Sequence, residues 1–146
     1  MKARKQIIKV ALVEDDPYYN RLLTKYVNTI CAESFYPDFQ FNIQSYASAH
    51  DCIEQLDDEL NILILDYFLF NRDEHDVLSG ADVLDEVNKH CDNCKVIVIS
   101  ALKSPSTILK LKQKGIYAYI DKNVNSRNRI GALLQTILDD LKQKRA

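Results

Sequence analysis

Tryptophan is absent from this 146-residue chain, methionine occurs once, and glycine and proline occur three times each. So little glycine and proline excludes collagen-like and linker-rich architectures. No apolar run reaches the roughly 18 residues that a membrane helix requires, so no membrane insertion is expected. The apolar stretch at 7–13 is interrupted by Lys9 and runs into acids, which is not the pattern of a secretory leader. Neither sign of charge dominates: 19 Lys and Arg against 21 Asp and Glu leave a net charge of -2. The basic excess usual in nucleic-acid-binding domains is missing, so nucleic acid is not expected as a partner. Four cysteines (Cys31, Cys52, Cys91, Cys94) are too sparse for a disulfide scaffold, and without a leader the expectation is reduced thiols in the cytoplasm.

What is present is the balance of a folded protein: 47% hydrophobic and 27% charged residues. The length suits one domain and is short for two, so residues 1–146 are expected to form a single domain with no output module in this chain. Nearly continuous apolar runs lie at 7–13, 62–65, 96–99 and 117–120, and a more alternating one at 39–46. Runs rich in Val, Ile and Leu are what parallel strands look like when helices cover both faces. Helical spacing fills the intervals. Pro17 opens the first helix, with Tyr19, Leu22, Leu23, Tyr26, Val27 and Ile30 following at three-to-four spacing. Ser48, Ser79 and Ser104 stand where they would cap the second, third and fourth, and Gly115 closes the fourth. The last starts near Ser126 and carries Ile130, Leu133, Leu134, Ile137, Leu138 and Leu141. Five β-α units in succession predict a doubly wound α/β fold with a five-stranded parallel sheet.

Ligands of such sheets bind beyond the carboxyl ends of the strands. Glu14, Asp15 and Asp16 follow the first strand, Asp66 ends the third, Ser100 and Ala101 end the fourth, and Lys122 follows the fifth. Any one of these has an ordinary explanation, such as a helix cap, a favourable charge at a helix dipole or a solvated lysine. As a set they suggest chemistry. Clustered carboxylates cannot all remain ionised without a cation, and a few hard oxygen ligands suit Mg²⁺. A carboxylate there can attack phosphorus, with a lysine and a hydroxyl stabilising the charge on the transferred group.

These segments, taken in order, resemble the receiver domain of two-component response regulators, the CheY-like fold. The likeness covers essentially the whole chain. VALVEDDP at 10–17 is similar to the family's first strand and acidic pair, which aligns with Glu14 and Asp15. ILILDYFL at 62–69 resembles the phosphoacceptor strand, VIVISA at 96–101 the strand ending in a hydroxyl, and GIYAYIDK at 115–122 the segment with an aromatic switch residue and a lysine. The resemblance implies strand order 2-1-3-4-5 and Asp66 as phosphoacceptor. It implies Mg²⁺ held by Glu14, Asp15, Asp66 and the backbone carbonyl of Phe68. Ser100, Ala101 and Lys122 would bind the phosphoryl group, and Tyr119 would turn inward with Ser100, repacking the surface formed by the fourth helix, fifth strand and fifth helix. The donor would be a sensor histidine kinase or a histidine phosphotransfer protein, and the target another protein. The fourth and fifth helices could form a phosphorylation-dependent homodimer surface. Such a protein catalyses its own phosphorylation and dephosphorylation and turns over no separate substrate. Phe68 and Leu102, two past Asp66 and Ser100, flank the expected path of water and imply a long-lived phosphoryl group.

The sequence departs from the family pattern in three places. Asn123 follows Lys122 where the family usually carries proline, Phe70 stands four residues past Asp66 where the family often has proline, and the stretch 67–79 is longer than usual, with Arg72, Asp73, Glu74, His75 and Asp76 together. That charged run reads as a solvated loop or as an overhang above the site. Two other functions compete. A haloacid-dehalogenase-like phosphohydrolase also uses a strand-end Asp, but Asp66 lacks an acid two positions on. A receiver-like module binding partners without phosphorylation would not need Asp66, Ser100 and Lys122 together. The pair Cys91 and Cys94 has redox or half-zinc-site spacing, yet falls between the third helix and fourth strand with no second pair, and reads as a loop. Tyr18, Tyr19, Tyr26, Tyr36 and Tyr46 read as core and rim packing.

Overall fold

The computed structural model describes residues 4–32, 35–68, 78–101 and 104–145. Five β-α units follow in order: β1 (Gln6–Val13), α1 (Pro17–Ile30), β2 (Phe39–Tyr46), α2 (Ala49–Glu54), β3 (Ile62–Asp66), α3 (Gly80–His90), β4 (Lys95–Ser100), α4 (Pro105–Gln113), β5 (Ala118–Asp121) and α5 (Ser126–Arg145). The strands form one parallel sheet in the order β2-β1-β3-β4-β5, as the sequence implies.

Alternation along each strand divides the core into two layers. Ile62 and Ile64 of β3 face a layer with Leu23 and Val27 of α1 and Ile130, Leu134 and Leu138 of α5. Leu63 and Leu65 face the other, with Val83, Leu84 and Val87 of α3, Cys52 of α2 and Leu111 of α4. Both faces of β3 are covered, which is why its sequence is continuously apolar and all five of its residues are buried. Full burial of each such side chain contributes about 1.5–3 kcal/mol.

The caps match the sequence reading. The Ser48 hydroxyl accepts from Asp51 N–H, and the Ser104 hydroxyl from Thr107 N–H. At α3 the Asp82 carboxylate takes hydrogen bonds from both the backbone N–H and the hydroxyl of Ser79. Gly115, with φ of 81°, follows the end of α4 in the left-handed region that favours glycine. The apolar spacing of Cys52, Ile53 and Leu56 predicts a longer α2, but the helix ends at Glu54 and Leu56 lies outside it. The Asp57 carboxylate accepts from Glu59 N–H instead, and acids at a helix C-terminus oppose the dipole, so a turn wins over another helical turn.

Gly80 starts α3 directly against the strand-end backbone. A Cβ built there would lie 2.2 Å from the carbonyl oxygen of Tyr67, the residue after Asp66. Gly80→Ala therefore forces α3 away from the end of β3. The expected loss is about 1–3 kcal/mol, typical of overpacking, read from the urea midpoint of unfolding.

Candidate functional site

Strand register brings the chemistry together. Val13 pairs with Leu65, Asp66 with Ile99, and Ser100 with Asp121, so Glu14, Asp66, Ser100 and Lys122 arrive at the same edge of the sheet. Backbone bonds carry the ladder one step further: Tyr67 N–H donates to the Ile99 carbonyl at 3.1 Å and Lys122 N–H to the Ser100 carbonyl at 2.8 Å. Glu14, Asp15 and Asp66 each offer a carboxylate oxygen, and these atoms lie within 4.8 Å of one another. Glu14 and Asp66 are buried, Asp15 half-buried. The Lys122 ammonium bonds to Glu14 and to Asp66, at 3.2 Å from the latter. Phe68 N–H donates to Asp66 at 3.3 Å, while the Phe68 ring is 38% exposed beside Tyr67.

Burial pushes the Glu14 carboxyl pKa up, and Asp66 pushes it further, against the opposing pull of Lys122. Burial lowers the pKa of Lys122, but its hydrogen bonds and attraction to the two carboxylates outweigh that, leaving it raised. The donor set is all hard oxygen and carries more negative charge than the lysine offsets. That chemistry fits a divalent cation such as Mg²⁺.

Ser100 is fully buried at the end of β4, and Ala101 is exposed in the bend after it. Tyr119 is half-buried against the layer that contains Val98, its register partner. Leu102 and the 69–77 part of the long loop, with Arg72, Asp73, Glu74, His75 and Asp76, lie outside the described residues. Asp16 has a separate job: its carboxylate caps α1, accepting from Tyr18 and Tyr19 N–H. Cys91 and Cys94 lie between α3 and β4 at the opposite edge, Cys91 buried and Cys94 half-buried. Burial pushes the Cys94 thiol up to about 12, so it stays protonated and unreactive. Among the described residues no metal-binding cluster includes either cysteine. A groove of about 690 Å³, lined by Gln6, Asn61, Lys95, Tyr117 and Lys144, also opens at that edge, away from the acids.

Two contributors have no motif in the sequence. Asn20 of α1 donates through its amide to the carbonyls of Glu14 at 2.9 Å and Tyr46 at 3.3 Å, holding the turn that carries the acids. Tyr19, assigned to packing by its helical spacing, places its ring 4.4 Å from the Lys122 ammonium. The signal for both was position alone, one turn into the helix that follows the acids.

The sign of the Glu14 shift gives a stability test. A carboxyl whose folded pKa exceeds its unfolded value contributes stability that is full below the unfolded pKa and is lost as pH rises through the folded one. In chelator, Glu14→Gln is therefore expected to unfold at higher urea than the wild type at neutral pH, and to flatten the decline above about pH 4.5. A variant less stable than wild type at neutral pH would show that its ion pair with Lys122 outweighs burial and repulsion.

With this geometry in view, the chain is similar to several solved structures. A signal receiver domain of a putative Luxo repressor protein from Vibrio parahaemolyticus is 26% identical, with a TM-score of 0.70 over 98% of this chain and 96% of that one. A CheY-like response regulator receiver domain from Methanospirillum hungatei is 18% identical, with a TM-score of 0.66 over 94% of this chain and 99% of that one. The response regulator DrrB of Thermotoga maritima, an OmpR/PhoB homolog, is 16% identical, with a TM-score of 0.72 over 92% of this chain and 54% of that one. No curated protein sequence matches at a significant level. Among the described residues no helix is long and apolar enough to cross a membrane. Residues 10–135 match the family model of the response regulator receiver domain, and the chain belongs to that family.

Proposed function

We propose that residues 1–146 act as one receiver domain that accepts a phosphoryl group on Asp66 from a phosphohistidine of a sensor kinase or phosphotransfer protein. The observation that carries this reading is the position of the Asp66 carboxylate. It ends a central strand, is held by Lys122, and lies within 4.8 Å of the Glu14 and Asp15 oxygens. Glu14, Asp15 and Asp66 would hold Mg²⁺, with the Phe68 carbonyl as a further ligand. Bound there, Mg²⁺ would offset carboxylate repulsion and withdraw charge from the phosphoryl oxygens.

An Asp66 carboxylate oxygen attacks phosphorus, the P–N bond to the donor imidazole breaks, and the imidazole keeps the electron pair. The Lys122 ammonium, already between Glu14 and Asp66, neutralises charge on the equatorial oxygens. The Ser100 hydroxyl and Ala101 N–H supply hydrogen bonds to the same oxygens. Ser100 is buried, so moving it leaves a space, and Tyr119 lies two residues before Asp121, the register partner of Ser100. A turn of Tyr119 into that space would repack α4, β5 and α5. α4 suits such a change, since Leu111 is its one residue buried among those described. The output would be docking to a protein partner, or a homodimer through α4 and α5, within the cytoplasm.

Incubation with Mg²⁺ and acetyl phosphate tests this. Intact mass is expected to rise by one phosphoryl group, labile to hydroxylamine and lost in Asp66→Asn. Multiple turnover of a phosphate ester would point to a hydrolase, and no adduct with any donor to a non-phosphorylated binding module.

Phe68 bears on how long the group lasts. Its exposed ring would obstruct in-line water. Phe68→Asn is expected to speed loss of label several-fold; an unchanged, rapid loss from wild type and variant alike would contradict the role.

A further inference from the structure

Lys122 is held from a direction that the acids do not account for. Its ammonium lies 4.4 Å from the centroid of the Tyr19 ring, within the range of a favourable cation–π contact. The same tyrosine is fixed at its far end. Its hydroxyl lies 2.9 Å from the Ser126 hydroxyl, which is 2% exposed. Ser126 in turn donates to the Asn123 carbonyl at 2.7 Å. Because the Ser126 proton is committed to that carbonyl, the Tyr19 hydroxyl is the donor to Ser126. The chain of contacts closes on itself: ring over the ammonium of Lys122, hydroxyl through Ser126 to the backbone of the next residue. The Asn123 side chain completes the turn by accepting from Asn125 N–H at 2.8 Å.

We infer that Tyr19 is a positioning residue for the phosphate-binding lysine, its ring, anchored through Ser126, holding the Lys122 ammonium over Asp66. This rests on the phosphoacceptor reading above. A lysine side chain has four rotatable bonds, and its reach across the site is set by what surrounds the ammonium. Glu14 and Asp66 pull from one side. Tyr19 covers another without adding a formal charge, so the ammonium keeps its full positive charge for the arriving phosphoryl oxygens. A fourth carboxylate in its place would compete with them.

The test pairs kinetics with a spectroscopic readout. In wild-type protein the ring current of Tyr19 is expected to move the Lys122 side-chain methylene protons upfield in NMR spectra, and Tyr19→Leu is expected to abolish the shift. With Mg²⁺ and acetyl phosphate, Tyr19→Leu is expected to slow phosphorylation of Asp66 about three- to tenfold. Tyr19→Phe, which keeps the ring, is expected to restore most of the rate, and its ring-fluorinated counterpart, with the same shape and a weaker quadrupole, to lose it again. In a Lys122→Met background, Tyr19→Leu is expected to have no further effect. An equal slowing in that background, or full activity of the fluorinated form, would reduce Tyr19 to packing and overturn the inference. Absence of the upfield shift in wild type would overturn it on geometry alone. If Leu at position 19 prevents folding, the phenylalanine and fluorinated forms decide the question. Failure of wild type to take any phosphate would instead sink the phosphoacceptor reading, while the ring-current shift would still report on where Lys122 sits.

Discussion

The site is organised by charge that does not cancel. Two buried carboxylates, Glu14 and Asp66, and the half-buried Asp15 share one end of the sheet, and the Lys122 ammonium bridges the two buried ones. Removing an ammonium from a buried pair leaves uncompensated charge and typically costs several kcal/mol. Retaining it still leaves excess negative charge, and the upward push on Glu14 is the local expression of that excess. A bound cation would offset that excess and stabilise the arrangement.

The fold exists around this edge in a specific sense. Parallel strands put all their carboxyl ends on one side, so residues far apart in the chain meet without any loop having to carry them. Lys122 reaches Glu14 across 108 positions and Asp66 across 56. The surrounding helices then tune the geometry. Asn20 of α1 ties the ends of β1 and β2, and Gly80 lets α3 begin against the Tyr67 carbonyl. The turn after Lys122 is held by Asn123, Ser126 and Tyr19, a set of hydrogen bonds where no proline ring is present to stiffen it. The thiols of Cys52, Cys91 and Cys94 are given over to the apolar layer on the far side, and burial keeps them protonated.

Much of this was legible in the chain. Covered strands require continuous Val, Ile and Leu, whereas β2, one of the two edge strands, shows the alternation of a half-exposed strand. Serine caps and the glycine after α4 act through their nearest neighbours, so their positions carried over unchanged. α2 was harder, because the Asp57 carboxylate competes locally for the backbone and tips a marginal helix into a turn. The acids, the hydroxyl and the lysine could be singled out because each sits at the end of an apolar run.

The primary structure by itself determined the α/β alternation, the family and the identity of the residues at the strand ends, since all three follow from local pattern and order. The resemblance singled out Glu14 and Asp15 as the acidic pair, and the tertiary structure added what the neighbouring Asp16 does instead, capping α1 through Tyr18 and Tyr19 N–H. Only the tertiary structure decided that Tyr19 belongs with Lys122 and not merely with the core. Helical spacing assigns a residue to a face of its own helix, whereas the distance from a ring on α1 to an ammonium beyond β5 depends on how the helix packs across the sheet, which no local pattern encodes.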